Sequence, residues 1–328
     1  MMSVLRRLPR RALLAATALI PVGLLGIWGF TSARPAPQDL PALEAPEAPL
    51  RVYHLGHSLV GQNIPHLLAQ FAGEGHRYNM QRGSGTSLRA HWEDSEPILD
   101  FDAVNRAPVW RDPKEALAAG EYDAVILTEM VELRDALDYF DGAKYLHRWA
   151  SLARSANPDV RLYLYETWHR LDDPVGWLER IDSDLDTLWL GRLTATDTRS
   201  RPETAPIYLI PGGQVLAAVV RAAEAGQIPG LDQRAQLFAR AADGSLDQIH
   251  LSPLGDYIIA LTHYAVLYHR SPEGLPHQVT LFDGTAVSAL GAEGAARVQA
   301  LVWEVVTRLP RTGVQPAVTV PPTEDPET

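Results

Sequence analysis

Residues 51–62 read RVYHLGHSLVGQ, and this stretch decides which fold the rest of the chain is expected to follow. The apolar run Val52–Leu55 predicts a buried strand, and the glycine that follows it predicts a turn. Apolar side chains then recur at helical spacing over Asn63–Ala72, which predicts a helix. Ser58 therefore lies between a strand and a helix. A serine there is exposed at the carboxyl edge of a sheet, with its N–H available to a developing anion. The alternative role for Ser58 is a helix N-cap.

The same alternation of short apolar runs and longer amphipathic runs continues along the chain. Strands are predicted at Val52–Leu55, Tyr78–Gln81, Ala124–Leu127, Leu162–Tyr165 and Ile207–Ile210. Helices are predicted at Asn63–Ala72, Lys144–Ser155, Trp177–Leu190, Val215–Ala225, Pro253–Tyr268 and Glu293–Leu309. This order predicts an α/β fold of three layers, α/β/α, with a mainly parallel, flavodoxin-like sheet. Ligands of such folds bind beyond the carboxyl ends of the strands, so the residues that follow the strands are the candidates for function.

Composition excludes several classes of protein. The chain has 328 residues, of which 46% are hydrophobic and 21% charged, so it is not a wholly disordered, collagenous or coiled-coil protein. It has no cysteine, which excludes thiol catalysis and thiolate metal sites. The net charge of −11 disfavours nucleic acid as a partner. No HExxH motif and no P-loop lysine is found, so neither a metal nor a cofactor is expected.

The first 33 residues have the pattern of an export signal. Arginines at positions 6, 7, 10 and 11 precede the apolar run Ala12–Phe30, and small residues follow at 31–33. The segment is either a cleaved signal peptide or an uncleaved anchor that tethers the protein to a membrane through residues 12–30. Both alternatives predict an extracytoplasmic protein, periplasmic or secreted. Residues 34–49 contain five prolines and predict a linker, residues 50–310 predict one domain, and residues 311–328 predict a disordered tail.

A second candidate motif for chemistry lies far from Ser58, just before the helix predicted to begin at Pro253. Asp247 and His250 are spaced so that the carboxylate can reach one imidazole nitrogen while the other faces a nucleophile. Because proline often opens a helix, the pair is expected on a loop directly before it. Taken singly, His250 also fits a surface histidine and Asp247 also fits a turn residue.

Together, Gly-x-Ser-Leu at residues 56–59 and Asp-x-x-His-Leu-Ser-x-x-Gly at residues 247–255 resemble the motifs of the SGNH (GDSL-type) hydrolase superfamily. The resemblance implies that Ser58 is the nucleophile, His250 the general base and Asp247 the residue that orients the base. It implies an exported serine esterase that acts on small acyl esters, including acetyl esters on glycans. Two alternatives remain: an O-acetyltransferase-type domain that passes the acyl group to a polysaccharide, and a catalytically inactive binding domain.

The resemblance also implies an oxyanion hole. The N–H groups of Ser58 and Gly85 are expected to form it, with Gly83 as the alternative glycine. The family usually has an asparagine after the third strand, whereas this chain has Thr128 and Glu129 there. An ionised carboxylate only accepts hydrogen bonds and would repel an oxyanion. Either Glu129 is protonated, or Thr128 donates to the oxyanion instead, or the hole has only two donors. Thr128 and Glu129 are also candidates for substrate binding, together with the two aromatic rings of Trp92 and Trp168.

Overall fold

A computed structural model of the chain describes residues 40–200 and 206–315. Its central sheet has five parallel strands, of which four are largely buried apolar runs and the second in chain order is more polar and only partly buried. These strands are β1 (Arg51–His57), β2 (Arg77–Gly83), β3 (Ala124–Leu127), β4 (Arg161–Glu166) and β5 (Ile207–Pro211). They are ordered 2-1-3-4-5 across the sheet, which is the flavodoxin-like order. The predicted fold class is confirmed, and all five predicted strands lie within these bounds.

Helices connect these strands and continue beyond them. They are α1 (Asn63–Ala72), α2 (Leu88–Trp92), α3 (Phe101–Val104), α4 (Pro113–Ala118), α5 (Leu133–Tyr139), α6 (Gly142–Ala156), α7 (Trp177–Asp184), α8 (Ala195–Ser200), α9 (Gly212–Glu224), α10 (Pro253–Tyr268) and α11 (Ala292–Arg308). Helices α1 and α10 have the predicted bounds. Ser252 caps α10 by accepting a hydrogen bond from Gly255 N–H, and Pro253 occupies its first turn, so local sequence alone determines where this helix begins.

Alternate residues of each strand point into two separate cores. On one face, strand residues such as Val52 and Ile126 pack in a core with α1, α9, α10 and α11. On the other face, residues such as Leu55 and Leu127 pack in a core with α4, α5 and α6. Since side chains alternate across a strand, a sheet covered on both faces needs apolar residues at nearly every position. This accounts for the continuous apolar runs in the sequence.

Helices α2, α3, α4, α5 and α8 were not predicted, and one predicted helix differs in type. The helix predicted over Trp177–Leu190 is an α-helix only as far as Asp184, and residues Leu185–Leu193 form a wider π-helix. Gly191 permits the wide turns, because a Cβ there would lie 2.6 Å from the carbonyl oxygen of Asp186.

Two small antiparallel hairpins were not predicted. They pair β6 (Phe238–Arg240) with β7 (Leu246–Leu251), and β8 (Gln278–Thr280) with β9 (Ala286–Ser288). The Asp247–His250 pair was expected on a loop, but it lies on β7. Strands β6, β8 and β9 have three residues each, too few to leave a detectable period in a sequence. Strand β7 has six residues, but its burial does not alternate between buried and exposed positions.

The segments expected to be linker and tail both contact the domain where the structure describes them. Leu40 and Leu43 pack against the first core, and Leu43 N–H donates to the carbonyl oxygen of Gly313 at 2.9 Å. Thr312 and Val314 are buried, so the packed part of the chain continues past the predicted boundary at residue 310. The segment predicted to be an export signal, residues 1–33, and residues 316–328 lie outside the described residues. None of the described helices combines the length and the apolar character needed to cross a bilayer.

Candidate active site

Ser58, His250 and Asp247 form a continuous chain of hydrogen bonds. The Oγ of Ser58 lies 3.0 Å from Nε2 of His250, and Nδ1 of the same ring lies 3.0 Å from Oδ2 of Asp247. Ser58 is half-buried and the His250 ring is exposed, so both side chains are accessible to solvent. With the Nδ1 proton directed to Asp247, Nε2 is left as an acceptor for the Ser58 hydroxyl proton. This is the geometry by which an imidazole activates a serine.

The Asp247 carboxylate is held by its own backbone as well as by the imidazole. Its Oδ1 accepts hydrogen bonds from the N–H groups of Ile249 at 2.8 Å and His250 at 2.9 Å. Desolvation raises the pKa of Asp247, but these two bonds and the His250 side chain outweigh it and lower the pKa below its usual value. Asp247 therefore stays ionised at neutral pH and can stabilise an imidazolium on His250.

Three contacts hold the β7 strand that carries this pair. The Nε1–H of Trp168, just after β4, donates to the carbonyl oxygen of Ile249 at 2.7 Å. Leu171 N–H donates to the carbonyl oxygen of Gln248 at 2.8 Å. Gly255 lets α10 approach this strand closely, because a Cβ there would lie 2.8 Å from Cβ of Leu251. These contacts hold the residues on either side of His250 in the chain.

Ser58 opens a single 3₁₀ turn, Ser58–Val60, at the end of β1. The N-cap of α1 is Gln62, so Ser58 does not cap that helix. His57 precedes the turn; its ring is buried and its Nδ1 accepts from Leu59 N–H at 3.4 Å. Desolvation lowers the pKa of His57 to about 3, so this ring is neutral and supports the turn. Of the two histidines, it is His250 whose ring nitrogen lies within hydrogen-bonding distance of the Ser58 hydroxyl.

Gly83 and Gly85, the two candidate glycines of the oxyanion hole, differ in their surroundings. The β1–β2 register pairs His57 with Gly83, which brings the end of β2 beside Ser58. Gly85 is exposed, and its φ of 57° lies in the left-handed region that glycine tolerates. Within the described part of the chain, the Gly85 N–H has no hydrogen-bond partner. Its role as an oxyanion donor stays a prediction.

Thr128 and Glu129 are both fully buried at the end of β3. Glu129 Oε1 accepts hydrogen bonds from the N–H groups of Met130 at 2.9 Å and Leu88 at 3.1 Å, which joins β3 to the start of α2. Desolvation raises the pKa of Glu129 to about 7, and the two backbone bonds limit the rise. In this structure neither side chain reaches the surface of the cleft, so their contact with a substrate stays a prediction.

The structure separates the two candidate tryptophans. Trp168 lines a cleft together with Ser58 and His250, whereas Trp92 lines a different groove with His147, Arg148 and Ser151. Trp92 packs against Trp149 at a centroid distance of 4.7 Å. Trp168 is therefore brought to the candidate site and Trp92 is not.

The groove beside Trp92 contains a second serine–histidine–aspartate array. Ser151 Oγ lies 3.5 Å from His147 Nε2, and His147 Nδ1 lies 2.8 Å from Asp197 Oδ1. Ser151 lies inside α6, where backbone N–H groups bond to carbonyl oxygens one turn earlier. An oxyanion formed there would find no backbone donor, so this array lacks what acyl chemistry requires.

The sheet has the strand order 2-1-3-4-5, a serine follows β1, and an Asp-x-x-His pair precedes α10. The chain resembles the SGNH hydrolases in its fold. No family model matches the sequence, and no curated protein matches it.

Three solved structures are similar to the chain. A DUF4886 family protein from Bacteroides uniformis is 15% identical, with 78% of this chain and 94% of that chain covered and a TM-score of 0.49. A protein named as a GDSL-like lipase from Parabacteroides merdae is 12% identical, with 70% and 99% covered and a TM-score of 0.42. A phospholipase A1 from Streptomyces albidoflavus is 12% identical, with 64% and 95% covered and a TM-score of 0.35.

Sequence reasoning missed part of the wall of this SGNH-like cleft. Asn63, Asp256 and Phe282 all line it, although they come from α1, α10 and the β8–β9 hairpin. Asn63 begins α1 and Asp256 directly follows the glycine of the second motif, so both could have been noted as polar residues at helix starts. No sequence signal indicates Phe282. Among the described residues, no cluster of three or more histidine or acidic side chains is arranged to hold a metal ion.

Proposed function

We propose that this protein is a serine esterase that hydrolyses small acyl esters, acetyl esters included, through an acyl-serine intermediate. One observation carries the proposal: the Ser58 hydroxyl lies 3.0 Å from an imidazole whose other nitrogen lies 3.0 Å from a carboxylate. A serine hydroxyl is a weak nucleophile by itself, and an adjacent oriented base is what activates it.

In the proposed reaction, Ser58 Oγ attacks the ester carbonyl carbon while its proton passes to His250 Nε2. The oxyanion accepts hydrogen bonds from the N–H groups of Ser58 and Gly85. The bond to the leaving alcohol then breaks, and His250 returns the proton to the alcohol oxygen. Water next attacks the acyl carbon and gives its proton to His250. Ser58 takes that proton back as the acid leaves.

The test combines covalent labelling with turnover of an aryl acetate. Wild-type protein is expected to react with a fluorophosphonate, which bonds to the serine oxygen with loss of fluoride, and to hydrolyse 4-nitrophenyl acetate. Ser58→Ala is expected to lose the label and to lower kcat by at least about 10³-fold. Ser151→Ala is the matched control, because Ser151 also lies within 3.5 Å of a histidine. It is expected to keep both properties.

Two outcomes would contradict the proposal. If wild-type protein neither labels nor turns over the ester, the domain is an inactive binding domain. If Ser58→Ala still labels and Ser151→Ala does not, the nucleophile has been assigned to the wrong serine. Product analysis with a glycan added as acceptor separates hydrolysis from acyl transfer, since only transfer leaves acyl groups on the glycan.

We also propose that the enzyme works outside the cytoplasm. The support is the arginine cluster before the apolar run Ala12–Phe30. Fractionation of the producing cells and mass spectrometry of the N-terminus test this. A soluble exported form that starts near residue 34 indicates cleavage, and a membrane-bound form that keeps residues 12–30 indicates a tether. Full-length protein in the cytoplasm would contradict export.

A further inference from the structure

A cleft of about 280 Å³ opens directly beside Ser58 and His250. Its walls come from the 58–63 turn, from β7 and α10, from Trp168, and from residues 281–283 of the β8–β9 hairpin. No residue of the 83–88 loop, which carries the candidate oxyanion glycines, lines it. The cleft therefore lies on the imidazole side of Ser58, away from that loop.

This position decides which half of an ester the cleft receives. The imidazole that takes the serine proton must return it to the leaving oxygen, so the alcohol portion of the ester has to lie on the imidazole side. The carbonyl oxygen points the opposite way, toward the oxyanion donors. The cleft is thus positioned to hold the leaving alcohol.

One wall of the cleft is aromatic. The Trp168 ring is buried, and Phe282 on the hairpin is 36% exposed. Phe282 packs edge-to-face against His66 of α1 at a centroid distance of 5.7 Å. Gln70 of the same helix bonds to both backbone groups of Thr280, so the hairpin is attached to α1 at two points. The aromatic wall is therefore held in place next to the serine.

Next to Phe282, a polar part of the cleft is organised by Asn63. Its Nδ2 donates to Asp256 Oδ2 at 2.8 Å, and its Oδ1 accepts from Phe282 N–H at 3.1 Å. Within the described residues, the second oxygen of Asp256, Oδ1, has no hydrogen-bond partner. Desolvation raises the pKa of Asp256 to about 6, against the lowering effects of Asn63 and His250. At neutral pH the carboxylate can accept a further hydrogen bond, because Asn63 donates to only one of its two oxygens.

We propose that Asp256 selects the alcohol portion of the ester, its Oδ1 accepting a hydrogen bond from a hydroxyl group of that alcohol while Trp168 and Phe282 contact the apolar face. The substrate class is then a short acyl ester of a neutral polyhydroxylated alcohol. Among the described residues, no lysine or arginine lines the cleft, so none of them would neutralise a phosphate or carboxylate on the alcohol. This inference rests on the proposed esterase activity.

The test uses two acetates with the same three-carbon alcohol skeleton, glycerol monoacetate and propyl acetate, which differ in their hydroxyl groups. We expect full-length wild-type protein to prefer glycerol monoacetate in kcat/KM. Asp256→Asn is expected to reduce that preference about tenfold, since a hydrogen bond to a charged acceptor is stronger than one to an amide. Asp256→Ala is expected to abolish it. Asp232→Asn, an exposed aspartate away from the cleft, is expected to keep the wild-type ratio.

Each contrary outcome is distinct. An unchanged ratio in Asp256→Asn overturns the inference. So does an equal loss on both esters, because Asp256 would then act on the triad or on folding, and thermal unfolding of the variant separates those two causes. A wild-type preference for an acetate of glycerol phosphate over glycerol monoacetate also overturns it. If Ser58→Ala keeps wild-type turnover, the proposed function is wrong, whatever the ratio of the kcat/KM values on the two acetates.

Discussion

The Oγ of Ser58 and the Nε2 of His250 lie 3.0 Å apart, although 192 positions separate the two residues in the chain. The contact exists because β1 ends and α10 begins at the same edge of the sheet. The turn after β1 presents the serine, and β7 presents the imidazole just before the helix. Any change that moves β7 relative to β1 is therefore expected to affect turnover before it affects the fold.

Asp247→Asn is expected to lower kcat by about 10³–10⁴-fold. The amide oxygen can still accept from the N–H groups of Ile249 and His250, so the strand keeps its shape. The amide nitrogen then faces His250 Nδ1 and favours the tautomer in which Nε2 carries the proton. Steady-state kinetics on 4-nitrophenyl acetate measure the effect.

The control for Asp247→Asn is Asp243→Asn, on the turn of the same hairpin, where the carboxylate accepts from Ser245 N–H at 2.9 Å. It is expected to keep kcat. A loss below tenfold in Asp247→Asn would show that the carboxylate does not orient the base.

Trp168→Phe is expected to lower kcat/KM about tenfold and the free energy of unfolding by about 1–3 kcal/mol. The change removes the donor to the carbonyl oxygen of Ile249 and leaves that buried oxygen unpaired. Because His250 is the next residue, the imidazole loses part of its support. Turnover and urea unfolding measure the two effects.

Trp177→Phe is the matched comparison, since Trp177 Nε1–H also donates to a backbone carbonyl, that of His169, at 3.0 Å. We expect a similar loss of stability and a smaller loss of turnover. Equal losses of turnover in both variants would contradict a specific role for Trp168.

Glu129→Gln is expected to become more stable relative to wild type as the pH rises from 5 to 8. Burial raises the folded-state pKa of Glu129 from 4.5 to about 7. The neutral carboxyl therefore contributes stability that is fully present below the unfolded pKa and is lost as the pH rises through 7. The difference between the two free energies of unfolding should grow by up to about 3 kcal/mol over this range.

Urea unfolding at several pH values gives that difference directly. Glu74→Gln, at an exposed position, is the control and is expected to follow the wild type at every pH. A constant difference between Glu129→Gln and wild type would mean that Glu129 is already ionised at pH 5.

Gly83→Ala is expected to lower both stability and turnover. A Cβ at Gly83 would overlap Thr86 Oγ1 and Ile98 Cγ2, so the end of β2 beside His57 must shift. Overpacking of this kind costs about 1–3 kcal/mol. Gly73→Ala is the comparison: its φ of 80° is strained for alanine, but nothing lies within 4 Å of the added Cβ. It should lose some stability and keep turnover. Equal turnover in the two variants would show that the position of the β2 end does not matter for the chemistry.

Much of the fold follows from the sequence because its signals are local. The bounds of α10 follow from a capping serine, a proline in the first turn and an apolar run. Four of the five strands follow from short runs that are apolar at nearly every position, whereas β2 is largely polar and gives a weaker signal. The short hairpins left no comparable signal. Phe282 therefore could not be assigned to the cleft, because its place depends on how α1 holds the β8–β9 hairpin.

By itself, the sequence determined the layered α/β fold and the motif residues Ser58, Asp247 and His250, because hydrophobic period, capping chemistry and motif spacing are properties of neighbouring residues. Only the tertiary structure decided which way the other candidates face. Glu129 points inward to α2, Trp168 lines the cleft and Trp92 lines a separate groove. The direction in which each side chain points depends on which helix covers which face of the sheet. Contacts between residues far apart in the chain decide that arrangement.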